Sequence, residues 1–312
     1  MNIVPPSYEI LDILDQQGLA VRIEFSGRIC YKSEDKIDKD SAVPFVSKMA
    51  EHGHNSVLEM GVVSLQVRYP EADMLAELYA TQPRYLQIDA RGDNTLLVTG
   101  SVRAFREMLM FHPTCRLVLG MTCFLSERHP YFFATIAPDC GFPAQPGLIV
   151  SKVRLDEIDQ LEPELRLKHR HIAVKFIVNR AVTHEIVRHR PCSFLQESQR
   201  YCRYADNKFG GEVTFIKPMF FAADTPEYDL WHKAMAETER LYLQLLETST
   251  PQAARTVLPN SCKTELIVYA NLQEWRHIFR LRTTKAAEPS MREVMIPLHA
   301  ELLGRFPELA LD

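Results

Sequence analysis

Residues 171–201 read HIAVKFIVNRAVTHEIVRHRPCSFLQESQRY, and three kinds of local order follow one another within them. HIAVKFIV (171–178) is rich in β-branched and aromatic side chains and reads as a strand. Asn179 can then cap a short helix, RAVTHEIV, because its side-chain oxygen accepts from a free amide of the first turn. That helix delivers Arg188 at its C-terminal end, into a run where Arg188, Arg190, Arg200 and Arg203 alternate with hydroxyl and amide side chains. A planar guanidinium offers a phosphate two parallel hydrogen bonds, so Arg188, Arg190 and Arg200 interleaved with Ser193, Gln196, Ser198 and Gln199 suit a nucleotide. The plainer reading of the same run is a solvated basic loop.

Outward from this stretch, the strand-then-helix order recurs near the C-terminus. ELIVYA reads as a strand, NLQEWRHIFRLR as a helix, and a last helix runs from about Pro289 to Leu303. PEYDLWHKAMAETERLYLQLLE is a long amphipathic helix, and STPQAARTVLP a short one capped by Thr250 with Pro251 in its first turn. Upstream, DSAVPFVSKMAEHGH predicts a helix capped by Asp40 or Ser41 and ending near Gly53. VVSLQVRY sets Val63, Leu65 and Val67 against Ser64, Gln66 and Arg68, as in a half-buried strand. The fold class is α+β, with helices dominating the C-terminal half. Residues 69 to 171 are the least readable. TLLVTGSVRAFREML there has the layout of ELIVYANLQEWRHIF, but aligned at Val98 and Val268 the two share few identities. A shared strand–turn–helix shape is read rather than a repeat.

Composition narrows the function. With 36 Lys+Arg against 40 Asp+Glu and a net charge of -4, a nucleic-acid partner is not expected, and any anion site is local. Glycine accounts for only 12 of 312 residues, and neither G-x-G-x-x-G nor a Walker loop occurs, so phosphates have to be held by side chains. The seven cysteines are scattered, with no CxxC pair and no ligand-spaced histidine. Neither a disulfide framework nor a metal site is expected, and a reducing cytoplasm fits best. The start MNIVPPSYEI lacks the layout of a signal peptide, and no apolar run reaches the roughly 18 residues of a membrane span. KHRH (168–171) reads as a solvated strand entrance. No linker divides the chain, which leaves one elaborated domain or two.

The residue order then becomes specific. Arg188-His189-Arg190, seven residues, Ser198, and then Arg200-Tyr201 resembles the signature of the flavin-dependent thymidylate synthases, the ThyX family. HGHNSVLE (52–59), AARTVLP (253–259) and NLQEWRHIFRLR (271–282) resemble three further segments of that family, in the order it requires. The match covers roughly 1–68 and 171–305. The resemblance implies a single ThyX-like domain over 1–312, a mixed sheet flanked by helices, a homotetramer with sites shared between subunits, and an inserted segment at about 69–170. It further implies synthesis of dTMP from dUMP, with methylenetetrahydrofolate as carbon donor, NADPH as reductant and FAD as relay.

Carried over residue by residue, the resemblance implies that His54 and Ser56 face FAD with Glu59 nearby. Arg188, His189 and Arg190 would clamp the flavin and its phosphates, and Asn271 and His277 would contact it. Glu185, Arg188 and the run Gln196, Glu197, Ser198, Gln199 and Arg200 would hold dUMP, helped by Arg255. Arg282 would sit at the uracil and act in catalysis. The chemistry needs such groups, because C5 of uracil becomes nucleophilic only when negative charge spreads over N3 and the adjacent carbonyls. A guanidinium stabilises that charge without titrating. Cys192 tempts one toward a thiolate, but its place in the spacer favours packing, and Ser198 has no base oriented toward it.

Departures from the family pattern are Leu195, where a polar residue is usual, Glu185 in place of Gln, and Ser290 in place of Glu; Arg292 is kept. They leave open a ThyX-like flavoprotein acting on another pyrimidine nucleotide, or a nucleotide-binding protein without chemistry.

Overall fold

The computed structural model describes residues 1–140 and 146–311. β1 (Asn2–Val4) and β2 (Ser7–Ile10) open the chain, followed by α1 (Leu19–Ile29), α2 (Ala42–Glu51) and α3 (Asn55–Leu58). Next come β3 (Val62–Arg68), α4 (Ala72–Ala80), β4 (Leu86–Ala90), β5 (Thr95–Ser101), α5 (Val102–Phe111), α6 (Arg116–Arg128) and α7 (Pro130–Phe133). β6 (Ile149–Val153), α8 (Leu155–Asp159) and α9 (Pro163–His169) lead into β7 (His171–Asn179), α10 (Arg180–Ile186) and β8 (Ser193–Gln196). β9 (Thr214–Ile216), α11 (Pro226–Thr248) and α12 (Pro251–Ala254) precede β10 (Lys263–Asn271), α13 (Leu272–Arg282) and α14 (Pro289–Arg305).

The α+β class holds, but the single mixed sheet does not. Two four-stranded sheets form, ordered β2-β7-β10-β8 and β4-β5-β3-β6, and every neighbouring pair in them is antiparallel. A parallel pair, β1 with β9, stands apart. Among the described residues only β4 and β5 are neighbours joined by a short turn, from Ala90 to Thr95; the other antiparallel neighbours are brought together after the chain has passed through further elements. The segment 69–170, of which residues 141–145 lie outside the described residues, supplies β4, β5 and β6 around β3.

The predicted strands carry their pattern into the core. In β7, Ile172, Val174, Phe176 and Val178 are buried while their neighbours are partly exposed, the period of two that a half-covered strand requires. Strand β7 runs beside β10 from His171↔Asn271 to Asn179↔Lys263. Asn179 caps α10, its side-chain oxygen accepting from Val182 N at 2.9 Å, and Asn271 caps α13 through Glu274 N at 2.9 Å. Thr250 caps α12 as expected. Ser41 does not cap α2: its hydroxyl donates to Glu24 Oε2 at 2.8 Å, a buried carboxylate that competes successfully for it. Gly53, at φ +69, ends that turn in the left-handed region where a Cβ would be strained.

Two expectations are overturned. KHRH is no solvated entrance: His169 and Arg170 are 2% and 3% exposed, because Asp89 takes Lys168 and His169 while Asp15 and Asp159 take Arg170. Charges enter an interior when each finds a partner. The expectation of no disulfide also fails, since Cys123 on α6 is bonded to Cys140, 17 residues on, where the chain returns past α7. A pairing between a helix and a distant loop leaves no short-spacing signature in a sequence. Among the described residues no helix is long and apolar enough to cross a membrane.

Candidate active site

Pairing of β8 with β10 places Ser193 opposite Tyr269 and so turns the chain after α10 back toward the end of β10 from which α13 starts. The arginine run and α13 therefore meet. Arg282, near-buried at the end of α13, donates through Nη1 to Glu185 Oε2 at 2.6 Å and through Nη2 to the Glu185 carbonyl at 3.1 Å. Its Nε donates to His189 Nε2 at 3.0 Å. Accepting there leaves the His189 proton on Nδ1, which faces Glu274 Oε1 at 3.5 Å. Arg188, largely exposed, reaches Glu185 at 3.9 Å, and the His277 ring lies edge-on to His189 at 5.7 Å. Glu185, Arg188, His189, His277 and Arg282 are thus one constellation. His189, Glu274 and His277 place their donor atoms within 4.8 Å of one another, a spacing that could also take a cation.

Glu274 went unnoticed in the sequence. It precedes His277 by three residues, the helical spacing that puts both on one face, and that pairing is the signal that could have found it.

The rest of the motif is more deeply committed to the fold. Glu197 is 2% exposed, bonded to Lys263 at 2.9 Å and to the Tyr204 hydroxyl at 2.9 Å. Gln196 donates to Thr183 and Thr264. Ser198 donates its amide to the Cys30 carbonyl, and its hydroxyl accepts from Arg200 N at 3.3 Å. Gln199 is buried with its amide nitrogen unpartnered, an unsatisfied donor that a bound acceptor would complete. Arg200 is exposed. Arg255 lies in the single turn Arg255–Val257, and among the described residues it makes no hydrogen bond or ion pair to Glu185 or His189, the residues that hold Arg282.

A cleft of about 570 Å³ opens beside the constellation, within the size range of cofactor sites. Glu59, Arg190 and Asn271 line it. The Asn271 amide is already used twice, in capping α13 and in donating to the Lys168 carbonyl at 3.0 Å. Glu59 accepts from Arg103 Nη1 at 2.6 Å. His54 and Ser56 are exposed at the start of α3, and His54 makes no side-chain cap there. Cys192 also lines the cleft. Burial pushes its thiol far up, with Glu274 acting in the same sense, so a thiolate is disfavoured.

A family model described as Thy1, thymidylate synthase complementing protein, matches residues 161–308. The flavin-dependent thymidylate synthase of Pyrococcus abyssi is 38% identical over 128 residues, 41% of this chain and 52% of that protein. That of Pyrococcus furiosus shows the same identity and coverage. That of Geobacter sulfurreducens is 30% identical over 160 residues, 51% of this chain and 67% of that protein. The chain spans about half the length of the two Pyrococcus proteins and two thirds of the Geobacter one.

Proposed function

The chain belongs to the flavin-dependent thymidylate synthase family, and from that premise we propose that it converts dUMP to dTMP, with methylenetetrahydrofolate as carbon donor and NADPH as reductant. FAD, when bound, relays reducing equivalents to the transferred carbon. The methyl transfer proceeds without a cysteine nucleophile.

The observation that carries this reading is the contact of Arg282 with His189 and Glu185 across more than 90 residues of sequence. Glu185 and His189 hold the guanidinium from two sides, so its orientation is fixed before substrate arrives. A preorganised cation of this kind is the device that stabilises charge developing over a uracil ring, and it loses little to reorganisation. Arg188 stands exposed beside it to meet the dUMP phosphate, and the unpartnered Gln199 amide offers a further donor. For the cofactor, the cleft and the Arg190 on its wall fit a phosphorylated flavin in size and charge. His54, Ser56, Glu59, Asn271 and His277 complete the proposed flavin contacts. Gln196, Glu197, Ser198, Arg200 and Arg255 complete those for dUMP.

The same reading takes 1–312 as one ThyX-like domain with 69–170 added to the family pattern, assembled as a cytoplasmic homotetramer. Purified protein should show an oxidised flavin absorbance band and should produce dTMP, identified by mass, from dUMP with methylenetetrahydrofolate and NADPH. A folded protein that stays colourless after incubation with FAD would end the proposal.

A further inference from the structure

The two four-stranded sheets follow one plan that reaches well beyond the strand–turn–helix shape read in the sequence. In the first, the chain passes through β3, α4, β4, β5 and α5; in the second, through β7, α10, β8, β10 and α13. The spatial orders correspond, β4-β5-β3-β6 to β8-β10-β7-β2. Registers correspond as well. Val62 pairs with Ser101 as His171 pairs with Asn271, and Ser101 and Asn271 each cap the following helix through the amide three residues on. Ile88 lies opposite Val98 as Phe194 lies opposite Val268. Counting back four residues from Ile88 and from Phe194 makes Arg84 the counterpart of Arg190.

The cleft beside the arginine constellation lies between these two halves and is lined by matching positions of both. Arg84 answers Arg190, Gln87 answers Ser193, and Ser101 answers Asn271. Both arginines are exposed, and neither has an ion-pair partner among the described residues. Arg103 on the same wall is different, being neutralised by Glu59 and Glu107 at 2.6 Å each. Two unpaired cations turned toward one concavity repel each other until an anion enters between them. Tyr85, next to Arg84, is 73% exposed at the cleft, a large aromatic face left open to solvent.

We propose that Arg84 is the second arm of an anion clamp across this cleft, opposite Arg190, and that Arg84 and Tyr85 together hold a phosphate-bearing planar heterocycle. This rests on the reading that puts the flavin nucleotide at Arg190. The first half of the chain then supplies a cofactor wall where the family signature offers no residue. A guanidinium on phosphate makes charge-assisted bonds, and a tyrosine ring gives the heterocycle a stacking face.

The test is to titrate full-length protein and its Arg84→Ala and Arg190→Ala variants with FAD, riboflavin and dUMP. Arg84 is exposed on the turn before β4, so the variant should melt with the wild type. Each arginine variant should bind FAD at least roughly tenfold more weakly, while riboflavin, which lacks phosphate, changes less than about twofold and dUMP not at all. Unchanged FAD affinity in Arg84→Ala beside weakened binding in Arg190→Ala would overturn the clamp and leave the proposed function standing. A loss of dUMP affinity with FAD unaffected would equally overturn it, because the clamp would then serve the substrate. Wild-type protein that binds no flavin would instead remove the functional reading and the clamp with it.

Discussion

Among the described residues Arg282 makes three hydrogen bonds, all to Glu185 and His189, and that economy fixes what its removal does. Arg282→Ala leaves the cleft lining intact, so FAD should remain bound while kcat falls by roughly 10²-fold or more, the scale seen when a preorganised charge stabiliser is lost. Single-turnover assays with bound flavin monitored would check this, and near-normal turnover would exclude the role. Arg255 stands away from that contact set, so its proposed part is affinity alone. Arg255→Ala should raise the dUMP Kd about tenfold with the flavin spectrum unchanged; an unchanged Kd removes it from the site. At this scale the sequence was most informative for Arg188, His189 and Arg282, which the family resemblance groups together and which the structure joins, Arg282 to His189 directly and to Arg188 through Glu185. It was least informative for Glu274, whose importance comes from the histidine it faces, and for Glu197, whose carboxylate is taken by Lys263 and Tyr204.

Between residue and fold, β10 carries a half-buried charge cluster that makes its own prediction. Glu265 accepts from Lys263 at 2.7 Å and from Lys32 at 2.8 Å. Burial alone would raise its pKa, but the two lysines outweigh it and hold the carboxyl at about 2. A carboxylate depressed in the folded state stabilises the protein above its unfolded value and loses that contribution as pH falls toward the folded one. The contribution is on the order of 3 kcal/mol at neutral pH. Urea midpoints of wild type and Glu265→Gln should therefore differ most at pH 7 and converge between pH 4.5 and 2, whereas a gap independent of pH would contradict the assignment. β7, α11 and α13 were legible because alternation or helical spacing is local, and β10 because its apolar run LIVYA is continuous. The tetrad 168–171 was misread because Asp89 and Asp15 lie 79 and 155 residues from the side chains they take, and even Asp159, eleven residues before Arg170, stands at no spacing that announces a pair.

For the molecule as a whole, the α+β class was legible, but the division into two matched sheets was not. The halves keep only an apolar frame in common, with Val98, Phe105 and Leu109 standing where Val268, Trp275 and Phe279 stand, so identities along the alignment are few. Their outer strands are exchanged. β2, from before the first half, edges the second sheet, and β6, from before the second half, edges the first. A fragment beginning at residue 161 would bare the outer edge of β7, and an exposed edge of this kind templates association. It should elute as aggregate on size exclusion, and recovery as a soluble monomer would argue that β2 is dispensable. The exchange also sets a timetable for the ribosome. Ser7 has to wait for Ile177 to emerge before it finds its partner, so β2 is made long before it can be secured.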